Sequence, residues 1–574
     1  MFGRRKYKKV AIHDIDPDEI FLDSKNIPQF DTDQFEGRIE MPIAKKSIAL
    51  FGGTLFLFAL FFIVKISLLQ IVHGEEYKIK SEQNRLDHTI LFTERGIIYD
   101  RTGIQLAWNE SSDLSTSTLV AASSTPSRGD TFPKRVYIGE PGFAHILGFV
   151  NYPKKDKFGN YFQYATEGRD GVEKIYDEIL RGVPGKKIVE EDALGKQISE
   201  STIEPPVSGE PLTLSVDARI QEVLYESIAD LAGEVDFLGG AGVILDVRNG
   251  EVIALTSFPS YDSQVMTDGQ DDDMITQYTT SSQTPFLNRA IGGLYTPGSI
   301  MKPFVALGAL AQNTINPLTT IYSDGALEVP NRFNPGNPTV FKDWKAHGAV
   351  DMRRALAVSS NIYFFHVGGG FGSQKGIGIE GIEKFTRLFG IPDKTDIDLL
   401  GEKEGIIPNI EWKEKNFPGD PWRIGDTYNS SIGQYGFQVT PIQMARAAAA
   451  IANNGTLITP HLRKEVRTAS RPININKVDL QIIREGMRMA VTEGTAVALN
   501  IPQVQIAAKS GTAELGSSKQ RVNSWIIGFW PYESPKYAFA VVMEKGPARN
   551  IIGSAYVMRR VFDQIVTNAP EYLK

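Results

Sequence analysis

An uncharged stretch near the start of the chain most constrains what the chain can fold into. Residues 47–64, SIALFGGTLFLFALFFIV, are 18 residues without a charged side chain. As a helix rising about 1.5 Å per residue, they span roughly 27 Å, close to the hydrocarbon thickness of a bilayer. The apolar pattern continues to residue 72, which predicts a transmembrane anchor over 47–72. A buried core helix and a cleaved signal peptide are the alternatives, but the stretch starts late and ends without a small-residue cleavage site.

Basic residues indicate the orientation of this anchor. A cluster at the start of the chain and a lysine pair directly before the anchor precede it: Arg4, Arg5, Lys6, Lys8, Lys9, Lys45 and Lys46. Basic residues mark the cytoplasmic side of a membrane helix. The sequence therefore predicts a cytoplasmic tail over 1–46, a single pass through the inner (cytoplasmic) membrane, and a domain outside the cytoplasm.

Composition excludes several classes of function. The formal net charge of −7 lacks the basic footprint of a nucleic-acid-binding protein. The chain has no cysteine, which rules out disulfides, thiolate nucleophiles and cysteine-ligated metal sites. We expect no cofactor and no metal.

The chain beyond the anchor divides into two parts with different predicted secondary structure. Residues 73–235 mix β-like runs, at 95–103, 142–150 and 211–217, with Gly- and Pro-rich turns, which predicts an irregular, strand-rich pedestal. From 236 to 574, strand patterns at both ends enclose helical patterns such as 440–455; the strands are predicted at 239–247, 251–258, 504–515, 524–530 and 537–546. Asn249-Gly250 between the first two strands predicts a hairpin. This order predicts an α+β domain with one antiparallel sheet, closed by the chain's return, packed against helices.

Ser299 and Lys302, in the segment YTPGSIMKPF, carry the first chemical signal. After the Pro-Gly turn a helix begins, and residues three apart on a helix lie on the same face. A serine hydroxyl is a weak nucleophile until a neighbouring base takes its proton, and a lysine kept partly neutral by burial can do so. A capping serine beside a solvated lysine is the alternative.

Two further polar segments strengthen that signal. Ser359-Ser360-Asn361 precede an aromatic run, and Lys509-Ser510-Gly511-Thr512 interrupt an apolar strand. Polar side chains in a buried strand are costly unless they line a cleft, and a glycine there allows a substrate backbone to come close. S-x-x-K, S-x-N and K-[ST]-G in this order match the signature of the penicilloyl serine transferases.

The resemblance extends to long blocks outside these motifs. Residues 95–107, 168–185, 212–221 and 250–262 resemble class B penicillin-binding proteins, which are monofunctional peptidoglycan D,D-transpeptidases. Residues 411–445 are similar to the elongation-type members, the penicillin-binding proteins 2. The resemblance covers roughly 45–574 and implies the transpeptidase fold with a non-catalytic pedestal, crosslinking of peptidoglycan stem peptides during cell elongation, and inhibition by β-lactams. It also implies a polytopic glycan polymerase of the SEDS family as a membrane partner.

The resemblance also implies roles for the site residues. Ser299 is expected to be the acylated nucleophile, with Lys302 as its base, Ser359 as a proton relay and Asn361 holding the peptide amide. Lys509 supplies positive potential, and the Ser510 and Thr512 hydroxyls contact the substrate carboxylate beside Gly511. The backbone N–H groups of Ser299 and Thr512 would form the oxyanion hole.

This chain departs from the family pattern at three places. Ser510 replaces the more usual threonine and keeps the hydroxyl, and Tyr435 stands where relatives commonly carry a glycine, which predicts a local rearrangement of the cleft wall. Some relatives bind zinc near S-x-N through a cysteine; here Asp343 and His347 alone are too few ligands.

Alternative functions remain open on sequence. A Ser-His-Asp hydrolase is set aside because no G-x-S-x-G elbow is present. A serine β-lactamase, a β-lactam-binding sensor or scaffold, and a division-type transpeptidase share the fold and differ in the fate of the acyl-enzyme or in the cellular role.

Overall fold

The structure is a computed structural model that describes residues 45–75, 77–78, 86–110, 132–157, 161–191, 197–331, 336–466 and 469–574. Apart from residues 45 and 46, the predicted cytoplasmic tail lies outside the described residues. The described residues divide into two units: those before residue 88 together with 190 and 191, and the remainder.

The smaller unit contains the predicted apolar helix. α1 runs from Lys45 to Ser67 and continues as a π-helical segment over Leu68–Val72. Within it, an 18-residue stretch of Ile48–Val72 has a mean hydropathy of 2.5 and no buried residue, so its length and composition suit a membrane span. Among the described residues this is the one helix that does.

Short strands and turns build the first part of the larger unit, as the pedestal prediction expects. They form a three-stranded sheet (order β1-β9-β10), a four-stranded sheet (β11-β2-β3-β4) and two small ladders (β5-β8 and β6-β7). The strands are β1 Leu86–Leu91, β2 Ile98–Tyr99, β3 Gln105–Glu110, β4 Lys134–Tyr137, β5 Val150–Asn151, β6 Lys154–Lys155, β7 Tyr161–Gln163, β8 Glu167–Gly168, β9 Gly185–Glu191, β10 Gln197–Glu204 and β11 Leu212–Thr213. The helices of this part are α2 Ala144–Leu147, α3 Gly171–Ile175, α4 Asp177–Leu180 and α5 Ala218–Val235.

The predicted β-like run at 142–150 is wrong over its centre. Its four middle residues form α2 and are all buried. An apolar run without alternation suits a buried helix as well as a strand, so periodicity could not separate the two. Gly148 ends the helix at φ 75°, where a Cβ would lie 1.9 Å from the Asp170 carbonyl oxygen, so only glycine fits.

A buried cluster of charges stabilises the pedestal. The fully buried Glu173 carboxylate accepts hydrogen bonds from Arg95 Nε and, at 2.7 Å, from Arg135 Nε. Burial raises the pKa of Glu173, but the charges of Arg135 and Arg95 and their hydrogen bonds outweigh it, and the pKa is lowered. Through Glu173, α3 is therefore hydrogen-bonded to Arg135 of β4 and to Arg95 before β2.

We expect Glu173→Ala to lower the free energy of unfolding by about 3–5 kcal/mol, because Arg135 stays buried without its counter-charge and Arg95 keeps only Asp177. Thermal unfolding of the detergent-solubilised chain measures this. Glu167→Ala, which removes a partly exposed partner 3.7 Å from Arg169, is the matched control. A melting temperature equal to that of the control would contradict the assignment.

The second part of the larger unit is an antiparallel sheet in the order β13-β12-β22-β21-β20. Its strands are β12 Gly239–Asp246, β13 Val252–Phe258, β20 Ala507–Leu515, β21 Arg521–Trp530 and β22 Tyr537–Pro547. The predicted hairpin and the three predicted C-terminal strands are therefore confirmed, and β12 pairs with β22, which closes the sheet. The boundaries differ slightly: β20 starts three residues later than predicted and β21 three residues earlier.

Helices and small ladders surround this sheet. The helices are α6 Ser263–Asp268, α7 Asp272–Thr280, α8 Arg289–Gly292, α9 Lys302–Ala311, α10 Met352–Val358, α11 Asn361–Gly369, α12 Gly378–Leu388, α13 Ile410–Asn416, α14 Ile424–Ser431, α15 Pro441–Ala452, α16 Lys477–Glu493 and α17 Ser554–Asn568. The short strands are β14 Ile321–Ser323, β15 Ala326–Val329, β16 Thr339–Lys342, β17 Gly348–Val350, β18 Thr456–Ile458 and β19 Ser470–Pro472.

Helix α15 lies at the centre of this domain. All of its residues are buried, and Thr440 and Gln443 form a capping box at its start. The reciprocal bonds satisfy backbone groups that a buried helix end would otherwise leave unpaired.

Candidate active site

The nucleophile candidate Ser299 lies on a tight turn that packs against Gly433 and strand β20. It is half-buried in a 3-10 helix, Gly298–Met301, directly before α9. Gly298 donates its N–H to the Gly433 carbonyl at 2.9 Å and has φ 60°. A Cβ on Gly298 would lie 2.6 Å from the Thr512 carbonyl oxygen, and one on Gly511 would lie 3.0 Å from the Pro297 oxygen. Glycines therefore bring β20 directly against the turn that carries Ser299.

The Lys302 side chain joins the first motif to the second. It is fully buried, and its Nζ donates to the Ser359 carbonyl at 2.7 Å, to Ser359 Oγ at 3.2 Å and to Asn361 Oδ1 at 2.7 Å. A buried ammonium needs such acceptors to offset its lost hydration. The alternative of a solvated lysine beside a capping serine does not fit this burial.

Ser359 occupies the joint between two helices. It ends α10 with φ 59°, a left-handed conformation that residues other than glycine adopt rarely. Ser360 then caps α11, its Oγ accepting from the Tyr363 N–H. The strained joint turns the Ser359 carbonyl and hydroxyl toward Lys302, so the unusual backbone has a place in the site.

Lys509 brings in the third motif. Its fully buried Nζ donates to Ser359 Oγ at 2.9 Å and to the Ser510 carbonyl at 2.7 Å. The Ser359 hydroxyl thus accepts from both lysines. A hydroxyl has two acceptor positions and one proton, so the Ser359 proton remains available for a third partner.

The two buried lysines have lowered pKa values. Burial lowers the pKa of Lys302 to about 7, although the Asp343 charge acts in the opposite direction. Burial, followed by the positive charge of Lys302, lowers the pKa of Lys509 well below its ordinary range. A lysine with a pKa near 7 is suited to general base catalysis at neutral pH.

We expect the second-order rate of acylation by a β-lactam to rise with pH through about 7 and then level off. Only the neutral amine of Lys302 can take a proton, and the neutral fraction grows as the pH passes the lowered pKa. Stopped-flow acylation by a chromogenic cephalosporin across this range measures the profile. A rise centred near the ordinary lysine value of 10.5 would contradict the assignment.

No hydrogen bond joins Ser299 Oγ to Lys302 Nζ within the described residues. The spacing predicts that the amine can reach the hydroxyl, but the Lys302 donors go to Ser359 and Asn361. These two acceptors belong to a turn whose proximity the local spacing does not show. Catalytic hydrogen bonds often tighten only when substrate is bound, so the Ser299–Lys302 pairing stays a prediction.

The substrate-binding candidates lie on β20. Ser510 is half-buried and its Oγ donates to Thr495 Oγ1 at 2.7 Å, while the side chain of Thr512 is exposed. Gly511 is buried against Pro297 and Ile300. Two hydroxyl groups of β20 thus flank a strand segment that approaches the nucleophile turn.

Asp343 is a residue near the site whose organising contacts the sequence did not reveal. Its Oδ2 accepts hydrogen bonds from Ser360 Oγ at 2.8 Å, from the Ile362 N–H at 3.1 Å and from Ser323 Oγ at 3.2 Å. Burial raises the pKa of Asp343, but backbone hydrogen bonds from Asn361 and Ile362 lead the contributions that lower it overall. The carboxylate therefore fixes the Ser360-Asn361 turn.

Asp343 and His347 do not suit a zinc ion. His347 Nε2 lies 3.6 Å from Asp343 Oδ1, but Asp343 Oδ2 is taken up by hydroxyl and N–H donors. Among the described residues, no group of three His, Cys, Asp or Glu side chains could hold a metal ion.

Tyr435 belongs to an aromatic group in the loop that contacts the nucleophile turn. It keeps φ 58°, and its ring meets Trp412 and Trp422 edge-on at 6.0 and 5.6 Å. The buried Lys413 ammonium lies 5.6 Å from the Tyr435 ring. The loop therefore accommodates tyrosine in the left-handed conformation and packs its ring between two tryptophans.

Two family models match the chain. The penicillin-binding protein transpeptidase domain matches residues 240–566, and the penicillin-binding protein dimerisation domain matches 128–214. The peptidoglycan D,D-transpeptidase MrdA of Acinetobacter baumannii is 30% identical over 86% of this chain and 84% of that protein. MrdA of Haemophilus influenzae is 29% identical over 91% of both chains. FtsI of Escherichia coli K12 is 27% identical over 75% of this chain and 66% of that protein.

Solved structures agree with these matches. Penicillin-binding protein 2 of Helicobacter pylori, in complex with MreC, has a TM-score of 0.68 and 26% identity over 84% of this chain and 99% of that one. Penicillin-binding protein 2 of Pseudomonas aeruginosa, in complex with WCK 5153, has a TM-score of 0.66 and 27% identity over 85% and 98%. A chain from a peptidoglycan synthase complex that coordinates polymerization and crosslinking has a TM-score of 0.68. It is 25% identical over 91% of this chain and 97% of that one.

The transpeptidase model alone spans more than half of the sequence, and the chain belongs to the penicillin-binding protein transpeptidase family. Within the family it is a class B protein of the penicillin-binding protein 2, or MrdA, type, since the FtsI match is weaker in coverage and identity. The resemblance and the α+β transpeptidase fold predicted from the sequence are confirmed.

Proposed function

We propose that this chain crosslinks peptidoglycan stem peptides as an elongation-type D,D-transpeptidase through an acyl-enzyme on Ser299. The MrdA relatives are named peptidoglycan D,D-transpeptidases and align with most of this chain. The observation that carries the proposal is that Lys302 and Lys509, from two distant motifs, both donate to the hydroxyl of Ser359 in a third. Convergence of this kind is costly for stability, because it buries two amines next to each other.

The reaction divides into two acyl transfers. Ser299 Oγ attacks the carbonyl carbon of the penultimate D-alanine, its proton passes to Lys302, and the bond to the terminal D-alanine breaks. The leaving amine takes the proton of Ser359, and Lys302 replaces it with the proton received from Ser299. An amine of a second stem peptide then attacks the ester and forms the new amide, and the proton that this amine loses passes through Lys302 to Ser299 Oγ, which leaves as the hydroxyl.

The remaining residues bind and orient. Asn361 holds the peptide amide, and the Ser510 and Thr512 hydroxyls bind the terminal carboxylate under the positive potential of Lys509. Gly511 lets the substrate backbone come close to β20. The N–H groups of Ser299 and Thr512 stabilise the tetrahedral oxyanion, an effect worth about 3–4 kcal/mol for such donors.

The product distinguishes the alternatives. We expect the detergent-solubilised chain, given lipid-linked glycan strands with D-alanyl-D-alanine stems, to release D-alanine and form crosslinked peptide dimers, both followed by mass spectrometry. With a fluorescent penicillin it should form one long-lived adduct. Rapid turnover of that adduct would indicate a β-lactamase, and a stable adduct without dimers would indicate a sensor or scaffold.

The apolar helix and the basic residues before it support a proposal for the localisation. We assign the chain to the inner membrane as a single-pass protein, with 1–46 in the cytoplasm, 47–72 in the bilayer, a pedestal over 73–235 and the transpeptidase domain over 236–574 outside. The chain lacks cysteine, so single engineered cysteines at Ser282 and in the tail can be labelled without background. Labelling of the Ser282 site by an impermeant maleimide added to spheroplasts is expected, and labelling of the tail site instead would reverse the orientation.

A polytopic glycan polymerase of the SEDS family is the partner we propose for the anchor. Support comes from the similar chain in a peptidoglycan synthase complex that coordinates polymerization and crosslinking. Co-purification of the polymerase should be lost when 47–72 is replaced by an unrelated membrane span. Unchanged co-purification would place the contact elsewhere.

A further inference from the structure

Thr495 connects the third motif to the helix that carries the second. It follows α16, and its backbone N–H donates to the Ala357 carbonyl of α10 at 3.1 Å. Its Oγ1 accepts the hydrogen bond from Ser510 Oγ at 2.7 Å. A Cβ on the preceding Gly494 would lie 2.2 Å from the Ala357 oxygen, so glycine permits this close approach.

Each hydroxyl has a single proton, which limits the hydrogen bonds that Ser510 can donate. Thr495 gives its own proton to the Ala357 oxygen at 3.4 Å, so the proton in the 2.7 Å contact belongs to Ser510. A carboxylate only accepts hydrogen bonds. Ser510 therefore cannot donate to a substrate carboxylate while it donates to Thr495.

Rotation of the Thr495 hydroxyl would free the Ser510 proton. Its bond to Ala357 is 3.4 Å long, beyond the usual O–H···O range of about 2.5–3.0 Å, and is the weaker of the two. The backbone N–H of Thr495 already serves the same carbonyl, so that oxygen stays satisfied if the Thr495 hydroxyl rotates. After rotation, Thr495 donates to Ser510 Oγ, and Ser510 donates to the carboxylate.

We propose that Thr495 is a positioning residue that reverses its hydrogen bond with Ser510 when an acyl donor carrying a carboxylate binds. This rests on the proposed function and adds to it the residue that orients the Ser510 proton. The reversal rotates two hydroxyl groups and makes or breaks no covalent bond. A hydroxyl that accepts one hydrogen bond becomes a stronger donor for the next, so the chain Thr495–Ser510–carboxylate is stronger than the Ser510 contact alone.

The proposal limits the ligands on which Thr495 acts. Peptides ending in D-alanine and penicillins both present a carboxylate next to the acylating carbonyl, and Thr495 should assist both. An acyl donor whose carboxylate is esterified has no charged acceptor for Ser510 and should gain nothing from Thr495.

The test compares two probes on the full-length protein: penicillin G and its methyl ester. Thr495→Val keeps the side-chain shape and the backbone bond but removes the hydroxyl. We expect its acylation rate with penicillin G to fall on the order of tenfold, and its rate with the ester to stay unchanged. Thr495→Ser should restore the rate with penicillin G, and Thr492→Val, at an exposed threonine at the end of α16, should behave as the unaltered chain.

Other results would overturn either the role of Thr495 alone or the proposed function as well. Equal losses with both probes would show that Thr495 is only a structural contact, and a faster rate with penicillin G would show that it merely competes for the Ser510 proton. Either result ends this inference and leaves the proposed function intact. An unaltered chain that forms no penicillin adduct would overturn the proposed function, and the inference with it.

Discussion

Replacing Ser299 with alanine is expected to abolish the penicillin adduct and the formation of peptide dimers. The substitution removes the atom that forms the ester, and loss of the nucleophile in serine acyl transferases lowers turnover on the order of 10⁶-fold. Ser299 is half-buried, and among the described residues its hydroxyl makes no hydrogen bond while its carbonyl accepts from the Lys302 N–H, which alanine keeps, so the fold should be unaffected. Intact mass spectrometry after incubation with the penicillin measures the adduct.

Ser282→Ala is the control for this experiment because Ser282 is an exposed serine outside the three motifs. It should be acylated at the same rate as the unaltered chain. Peptide mapping locates the modified residue. An adduct of full stoichiometry on Ser299→Ala would remove Ser299 from the mechanism and with it the assignment of the first motif.

Lys302→Met is expected to lower the acylation rate by about 10²–10⁴-fold, the range that a general base contributes. Methionine fills a similar volume beside Phe364 without the amine. The substitution also leaves the Ser359 carbonyl and Asn361 Oδ1 without their shared donor, so some of the loss comes from the turn. The rate alone therefore cannot separate a base from a structural lysine.

The pH profile makes that separation. If Lys302 is the base, the rise in rate near pH 7 disappears in Lys302→Met and the small remaining rate no longer follows that titration. Lys477→Met, at an exposed lysine of α16, should keep both rate and profile. A slow variant that retains the rise near pH 7 would assign the titration to another group and exclude Lys302 as the base.

The sheet could be predicted from the sequence because its strands have strong local patterns. The Asn249-Gly250 turn between two apolar runs predicted the hairpin of β12 and β13, and the paired strands are antiparallel as expected. The strand ends were less accurate, since Arg521 and Val522 extend β21 by pairing with β22 rather than through an apolar pattern. Backbone pairing set by the neighbouring strand is not visible in local sequence.

The motif residues could be named from the sequence, but not their hydrogen bonds. Spacing placed Lys302 near Ser299, whereas the structure gives the lysine's bonds to Ser359 and Asn361, 57 and 59 positions further along. Asp343 and Thr495 were missed as organising residues because a lone Asp or Thr carries no spacing signal. The left-handed conformation of Ser359 was also hidden, since it depends on how α10 meets α11.

The crowding around Gly298, Gly433 and Gly511 limits how this chain can change under antibiotic selection. A methyl group at Gly433 would lie 2.1 Å from the Gly298 oxygen, so even alanine there displaces the turn that carries Ser299. Substitutions that alter drug recognition are therefore expected at side chains around this turn rather than at its glycines.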